Sequence, residues 1–194
     1  MNKSLIIFGI IAAIFISLII FVINGINTAS AKYEMIKTDW TLVSNQLKKR
    51  NDLIPNLVNS MVGYINHEEK IFEETTNVRS NLSNSLTTDV SLEDKIEAAQ
   101  SMEETISRLL ITAENHPDLK KDTNFIRLIN ELNEIENQIS DERIRFNQTV
   151  ENFNIFIKQI PGNYFAAIKG LKEQPYFKSK KGEPETPPAE EDSL

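Results

Sequence analysis

The sequence predicts an all-α protein: a long antiparallel helical bundle, four-helix-bundle-like, made of three long helices and a short C-terminal one behind an N-terminal transmembrane helix. Three observations predict it. An uncharged apolar run opens the chain, a 4,3 rhythm of apolar residues fills its middle, and prolines stand where that rhythm stops. Apolar residues three and four apart share one face of an α-helix, so each rhythmic stretch carries an edge that another helix must cover. With 194 residues the chain suits one domain plus appendages. The expected divisions are 1–28 for the anchor, 29–177 for the bundle and 178–194 for a tail.

The opening run, Leu5 to Ile23, has no charge and only Gly9 and Ser17 as weak interruptions. As a helix it is about 28 Å long, close to the hydrocarbon thickness of a bilayer. A cleaved secretory signal is the competing reading: Lys3 supplies a basic start, and Ala29-Ser30-Ala31 has the small-x-small form of a cleavage site. The run exceeds the roughly 7–15 residues of a signal core, and that site lies well past its end, so a retained single-pass anchor is favoured. Its orientation stays open, because Lys3 and the terminal amine on one side balance Lys32 and Lys37 on the other. Gly9, Ala13 and Ser17 recur every fourth residue, a face on which transmembrane helices can pack, although small residues are frequent in such helices anyway.

From Ile36 the rhythm passes through Trp40, Val43, Leu47, Arg50, Ile54, Leu57, Met61, Tyr64, Glu68, Ile71, Thr75, Val78 and Leu82, which predicts one long helix. Pro55 lies inside it. Proline deletes a backbone hydrogen bond and crowds the carbonyl of Asn51, so a kink is expected. The phase is the same on both sides, which favours a kinked helix over a break at Asn51–Pro55. Arg50 and Glu68 occupy seam positions, where an unpaired buried charge costs several kcal/mol. Snorkelling to the edge of the seam is the favoured expectation; pairing with opposite charges on neighbouring helices is the alternative.

Asn81 to Ser91 has a loop composition, and Ser91 with Asp94 resembles a capping box. Leu92, Ile96, Ala99, Met102, Ile106, Leu109 and Ala113 mark the next helix, which Pro117 ends. Thr123 or Asn124 is the expected cap of the longest rod, Asn124 to Ile160. Its apolar stripe is Phe125, Leu128, Leu132, Ile135, Ile139, Phe146, Val150, Phe153, Ile157 and Ile160, and Pro161 stops it after roughly 55 Å. Glu136, Arg143, Asn147 and Asn154 run along one flank of that stripe as a polar ladder suited to interhelical hydrogen bonds. A two-turn helix is expected over Tyr164–Gly170, then Tyr176 and Phe177, then a proline-containing acidic tail expected to be disordered.

Along this chain Trp40, Gln46-Leu47-Lys48, Arg50, Asp52-Leu53-Ile54-Pro55-Asn56-Leu57-Val58, Gly63-Tyr64 and His67-Glu68 resemble the first signature of the LemA family. Val78-Arg79, the Glu114…Pro117…Leu119-Lys120 turn, Asn124-Phe125, Glu136-Asn137, Ile139, Arg143, Phe146-Asn147, Val150, Phe153-Asn154 and Pro161 extend the resemblance over about Ala29 to Phe177. Phe146 and Phe153 stand where the family often has Tyr, and Ile160 where it often has Phe. The resemblance implies a bacterial protein, anchored in the cell membrane at its N-terminus, with an all-helical bundle and no established biochemical activity. It brings no catalytic residue with it.

Charge and composition narrow the function classes. A formal charge of −7 argues against a general nucleic-acid binder. The absence of cysteine excludes disulfides, thiolate metal sites, thiol catalysis and a lipidated cysteine anchor. A carboxylate-bridged metal pair needs Glu-x-x-His on facing helices, and the residues three before His67 and His116 are Tyr64 and Ala113. No phosphate loop, nucleophile elbow or zinc-binding HExxH pattern is present. Lys48-Lys49-Arg50 reads as a solvated basic face, which phospholipid headgroups could use if the helix bends back at Pro55.

The expected function is therefore a membrane-anchored interaction or scaffold protein that is not an enzyme, without cofactor or small-molecule substrate. Its expected partners are the membrane and another membrane-associated protein or a second copy. The alternatives are a metal or enzyme site among Glu68, Glu136, Glu142 and Arg143, and a membrane-shaping assembly. Helix lengths suggest where a partner binds. If the first helix runs to Leu82, the last overshoots the returning helix by roughly ten residues, and Phe153, Phe156, Ile157 and Ile160 then need cover from 162–177 or from a partner.

Overall fold

The computed structural model describes residues 3–65 and 69–178, and these form five α-helices and no strand. Helix α1 spans Lys3–Val62, 60 residues in one piece, or about 90 Å. Its buried stripe is Ala29, Ile36, Val43, Leu47, Arg50, Ile54, Leu57 and Met61, the 4,3 rhythm carried back to the end of the apolar run. It passes through Pro55 without a break. The Asn51 carbonyl, which proline cannot serve with an N–H, instead accepts a hydrogen bond from Arg79 Nε at 3.0 Å.

The first helix does not continue to Leu82, and this corrects the count of three long helices. After Val62 the chain turns, with the amides of Tyr64 and Ile65 both donating to the Met61 carbonyl at 2.9 and 3.0 Å. Helix α2 then runs over Glu69–Thr87. A straight continuation would carry the apolar edge past the start of the last long helix. Turning back lets Ile71, Thr75, Val78 and Leu82 face the same core. Helix α2 also takes in most of the expected loop. Leu82 is buried, Leu86 packs against the core, and the hydroxyls of Ser85 and Thr87 bond back to carbonyls of the preceding turn.

Helix α3 (Leu92–Glu114) starts as its sequence suggests, with Ser91 Oγ accepting from the Asp94 amide at 3.1 Å. A 3-10 turn at Leu119–Lys121 leads into α4 (Thr123–Lys158). The cap of α4 is Asp122, not Thr123 or Asn124: its Oδ1 accepts from the Phe125 amide at 2.9 Å. Helix α5 (Gly162–Ile168) follows an elbow at Gln159–Pro161, two residues before the stretch expected. Gly170, at φ +64°, closes α5 by donating to Ala167 O while the Leu171 amide reaches Ala166 O, the two bonds of a Schellman ending.

Three contacts fix the pairing of α1 with α4, and a fourth joins the residues just beyond their ends. Tyr33 meets Phe153 and Trp40 meets Phe146, each at 5.8 Å between ring centres. Arg50 meets Glu136 at 3.0 Å, and Tyr64 Oη meets Asp122 at 2.8 Å. Each step up α1 is matched by an equal step down α4, so the two helices are antiparallel. The register is the same before and after Pro55. Helix α2 lies against α3, and residues of all four long helices share one buried cluster.

The α2–α3 hairpin is shorter than the α1–α4 pair. The Ala99 carbonyl sits beside Arg50, and α3 begins two turns earlier, about 10 Å toward the apolar run. The hairpin therefore ends near the level of Trp40 to Val43. From there toward Ile23, α1 and α4 are covered by α5 and by an extended strap, residues 171–178. Phe153 is consequently buried rather than waiting for a partner. Phe156 and Ile157 are half-buried, and of that face only Ile160 stands open, at 77% exposure. Glu68 and His67 lie outside the described residues, as does all but Lys178 of the tail expected over 178–194.

Candidate functional site

Among the described residues, ionisable side chains gather inside the protein along the polar ladder of α4. Its members do not share a single centre. Glu136 turns to α1 and takes Arg50 Nη1 at 3.0 Å, while Arg50 Nη2 donates to the Ala99 carbonyl of α3 at 3.2 Å. The Arg50 side chain is fully buried. Snorkelling, the favoured expectation, is therefore overturned for Arg50, because a helix flanks the residue on either side and leaves the side chain no path to water. Burial lowers the pKa of its guanidinium below the ordinary value, and Glu136 opposes that fall.

Two turns further along α4, Arg143 Nη1 binds Glu103 of α3 at 2.6 Å, with both side chains mostly buried. Among the described residues Nε and Nη2 of Arg143 find no hydrogen-bond partner. Its guanidinium carbon instead lies 4.7 Å from the centre of the Phe177 ring. Glu142, the other carboxylate considered, faces Arg145 at 3.6 Å. Among the described residues no group of three or more histidines and carboxylates is placed to hold a metal ion.

The two asparagines of the ladder hold the strap. Asn147 Nδ2 donates to the Phe177 carbonyl and its Oδ1 accepts from the Phe177 amide, both at 3.0 Å. Asn154 does the same at Gln174, both at 2.9 Å, and also donates to the Tyr176 hydroxyl at 3.1 Å. A carboxamide matches a peptide's own donor and acceptor, which an extended segment outside any sheet must otherwise satisfy with water. The spacings agree. Seven residues of α-helix rise about 10.5 Å, and three residues of extended chain cover about 10 Å. At the Asn147 clasp the strap sends the Phe177 side chain into a pocket of rings, 6.0 Å from Trp40 and 5.7 Å from Phe146.

The anchor residues occupy the first part of α1. Leu5 lies in that helix, Gly9 has open space where a Cβ would be, and Ala13, Ser17 and Ile23 are exposed. Large apolar side chains from Ile6 to Ile23 are exposed too. Among the described residues α1 is the one helix long and apolar enough to cross a membrane. Just past that run the Phe165 ring of α5 fills the position a Cβ on Gly25 would take, 2.1 Å from Cε2, so any larger residue there would have to displace the ring. At the opposite end α3 and α4 enclose an open groove of about 300 Å³ lined by Leu110, Ala113, Phe125, Ile126 and Ile129.

Five helices, the first apolar enough to cross a bilayer and the rest folded on its continuation, define an all-helical protein whose internal charges are spent on one another. The chain belongs to the LemA family, whose model matches residues 39–190. Among curated proteins it resembles Magnetosome protein MamQ 2 and MamQ 1 of Paramagnetospirillum magneticum, each 31% identical over 75 residues. Magnetosome protein MamQ of Magnetospirillum gryphiswaldense is 28% identical over the same length. The shared stretch covers 39% of this chain and spans 28% of each relative's length.

Sequence reasoning singled out Arg50, Glu136, Arg143, Asn147 and Asn154 but not what they touch. Glu103, the role of Arg79, and the pairing of Gly25 with Phe165 went unseen. One signal was available: a proline inside a helix leaves an orphan carbonyl four residues back, so Asn51 needed a donor from elsewhere.

Proposed function

We propose that this protein is a single-pass membrane-anchored scaffold, in which an up-down-up-down four-helix bundle is held at a fixed height above a bilayer and acts by contact rather than by catalysis. The observation that carries the reading is the continuity of α1, whose apolar first part and buried later part belong to one helix. It also favours a retained anchor over a cleaved signal. Ala29, within the small-x-small site, is fully buried mid-helix, so cutting there would remove part of the packed structure.

The charges support a structural use of the ladder, since Glu136, Glu103 and Glu142 each face an arginine. The surface offered to a protein partner is the far groove, where Ile126 is exposed, together with Ile111, exposed on α3 next in sequence to the groove residue Leu110. Counted along α1 from Ile23 to Val62, it stands about 58 Å from the apolar run. The magnetosome relatives share a short stretch with this chain, so the reading rests on the helix and not on their name.

The test uses the full-length chain in its own cells. It should resist alkaline extraction from membranes, retain its N-terminus by mass, and form a discrete protein adduct through a photo-crosslinker placed at Ile126. A mature N-terminus near Lys32 would end the anchor reading. Crosslinkers at Ile126 and Ile111 that capture no protein at all would end the scaffold reading.

A further inference from the structure

We infer that α5 and the elbow before it form a second membrane contact, a short foot lying in the headgroup region beside the anchor. The inference rests on the proposed insertion of Leu5–Ile23 in a bilayer. A surface helix ordinarily turns apolar residues inward and polar ones outward. Helix α5 is apolar on both sides. Phe165 and Ala166 are buried against the protein, while Tyr164 and Ile168, one turn apart, are each 62% exposed. Ile160 and Pro161 in the elbow and Ala167 in the helix extend that outer face, which carries no charge.

Its position says what covers it. Phe165 meets Phe21 edge-on at 5.8 Å and occupies the Cβ space of Gly25. Phe21 belongs to the apolar run, and Gly25 is two residues beyond its end. The medium that covers Phe21 therefore reaches α5, and for a spanning helix that medium is lipid at the interface. Tyrosine favours that depth, because its ring is apolar and its hydroxyl wet. Lys169 and Lys172, both exposed, flank the foot where long cationic side chains can reach phosphates.

The chain has no cysteine, so single-cysteine variants of the full-length protein carry a fluorophore at one place. Tyr164→Cys and Ile168→Cys test the foot, Ile11→Cys the anchor, and Ile111→Cys the far end, in mixed phosphatidylcholine and phosphatidylglycerol vesicles. A shallow lipid-borne nitroxide should quench labels at 164 and 168 several-fold more than at 111, and aqueous iodide several-fold less. Labels at 164 and 168 as open to iodide as the one at 111, with 11 buried in lipid, overturn the foot and leave the anchor standing. A label at 11 that is open to iodide overturns the anchor and the foot with it. Labels at 164 and 168 shielded from both quenchers assign the face to a second copy or another protein, which also overturns the foot.

Discussion

The half of the domain far from the apolar run and the half beside it cover one α1–α4 seam in different ways. Far away, two helices do it. Helices satisfy most of their own backbone, so side chains make the cross-links: Arg50 to Glu136, Arg143 to Glu103, and Arg79 to the carbonyl freed by Pro55. Near the run an extended strap does it, and each of its peptide groups needs an outside partner. Asn147 and Asn154 meet that need at Phe177 and Gln174, and Phe177 supplies the apolar contact. A helix brings its own hydrogen bonds to an interface and a strap borrows them, so the two halves should fail differently.

The largest effect belongs to the far half. Glu136→Ala leaves the fully buried Arg50 charge without its carboxylate and should cost about 3–5 kcal/mol, read as one cooperative denaturation shift. A fall of less than about 1 kcal/mol would mean the pair is as inert as a surface one. Next comes Phe177→Ala, expected to weaken strap docking by about 3 kcal/mol. Because the strap can leave on its own, the loss should be local. The chain's one tryptophan, stacked on Phe177 at Trp40, should shift to the red while helix content holds. Loss of helix together with the shift would merge the two halves into one unit.

Asn147→Ala removes a two-bond clasp and should cost about 2 kcal/mol, visible as faster amide exchange at Phe177 with α2 and α3 unchanged. The smallest effect is a pH dependence in the far half. The Asp122 carboxylate is held below its ordinary value of 3.8, first by the Phe125 amide and then by the Tyr64 hydroxyl. With the folded value depressed, its contribution is present above 3.8 and fades as pH falls through the lower folded value. Comparing melting temperatures of the protein and its Asp122→Ala variant should show the gap between them close on acidification. A gap that persists unchanged at low pH would remove Asp122 from the account.

What the sequence made legible follows the same division. The α3 and α4 helices lie close to their expected bounds, because unbroken 4,3 rhythm and flanking prolines are local signals. The turn after Val62 was hidden for a physical reason: the stripes of α1 and α2 both face one core, so the rhythm stays in step across the break. Period reports which face is buried and not whether the backbone is continuous. The ladder was visible as a row of polar residues, but its partners were not. A strap held by its peptide groups leaves no side-chain pattern of its own, and so the sequence leaves open whether 162–177 or a partner covers Phe153.

A rod without a joint also carries torque. With 3.6 residues per turn, one residue added between Gly25 and Ala29 would swing everything beyond it by about 100° relative to the Phe21 and Gly25 surface. If Leu5–Ile23 sits in a bilayer as proposed, the compass bearing of the far groove around the membrane normal is thus written into the length of that short stretch. A turn of that apolar run about its own axis would then be a turn of the later part of α1 as well, since both belong to one helix.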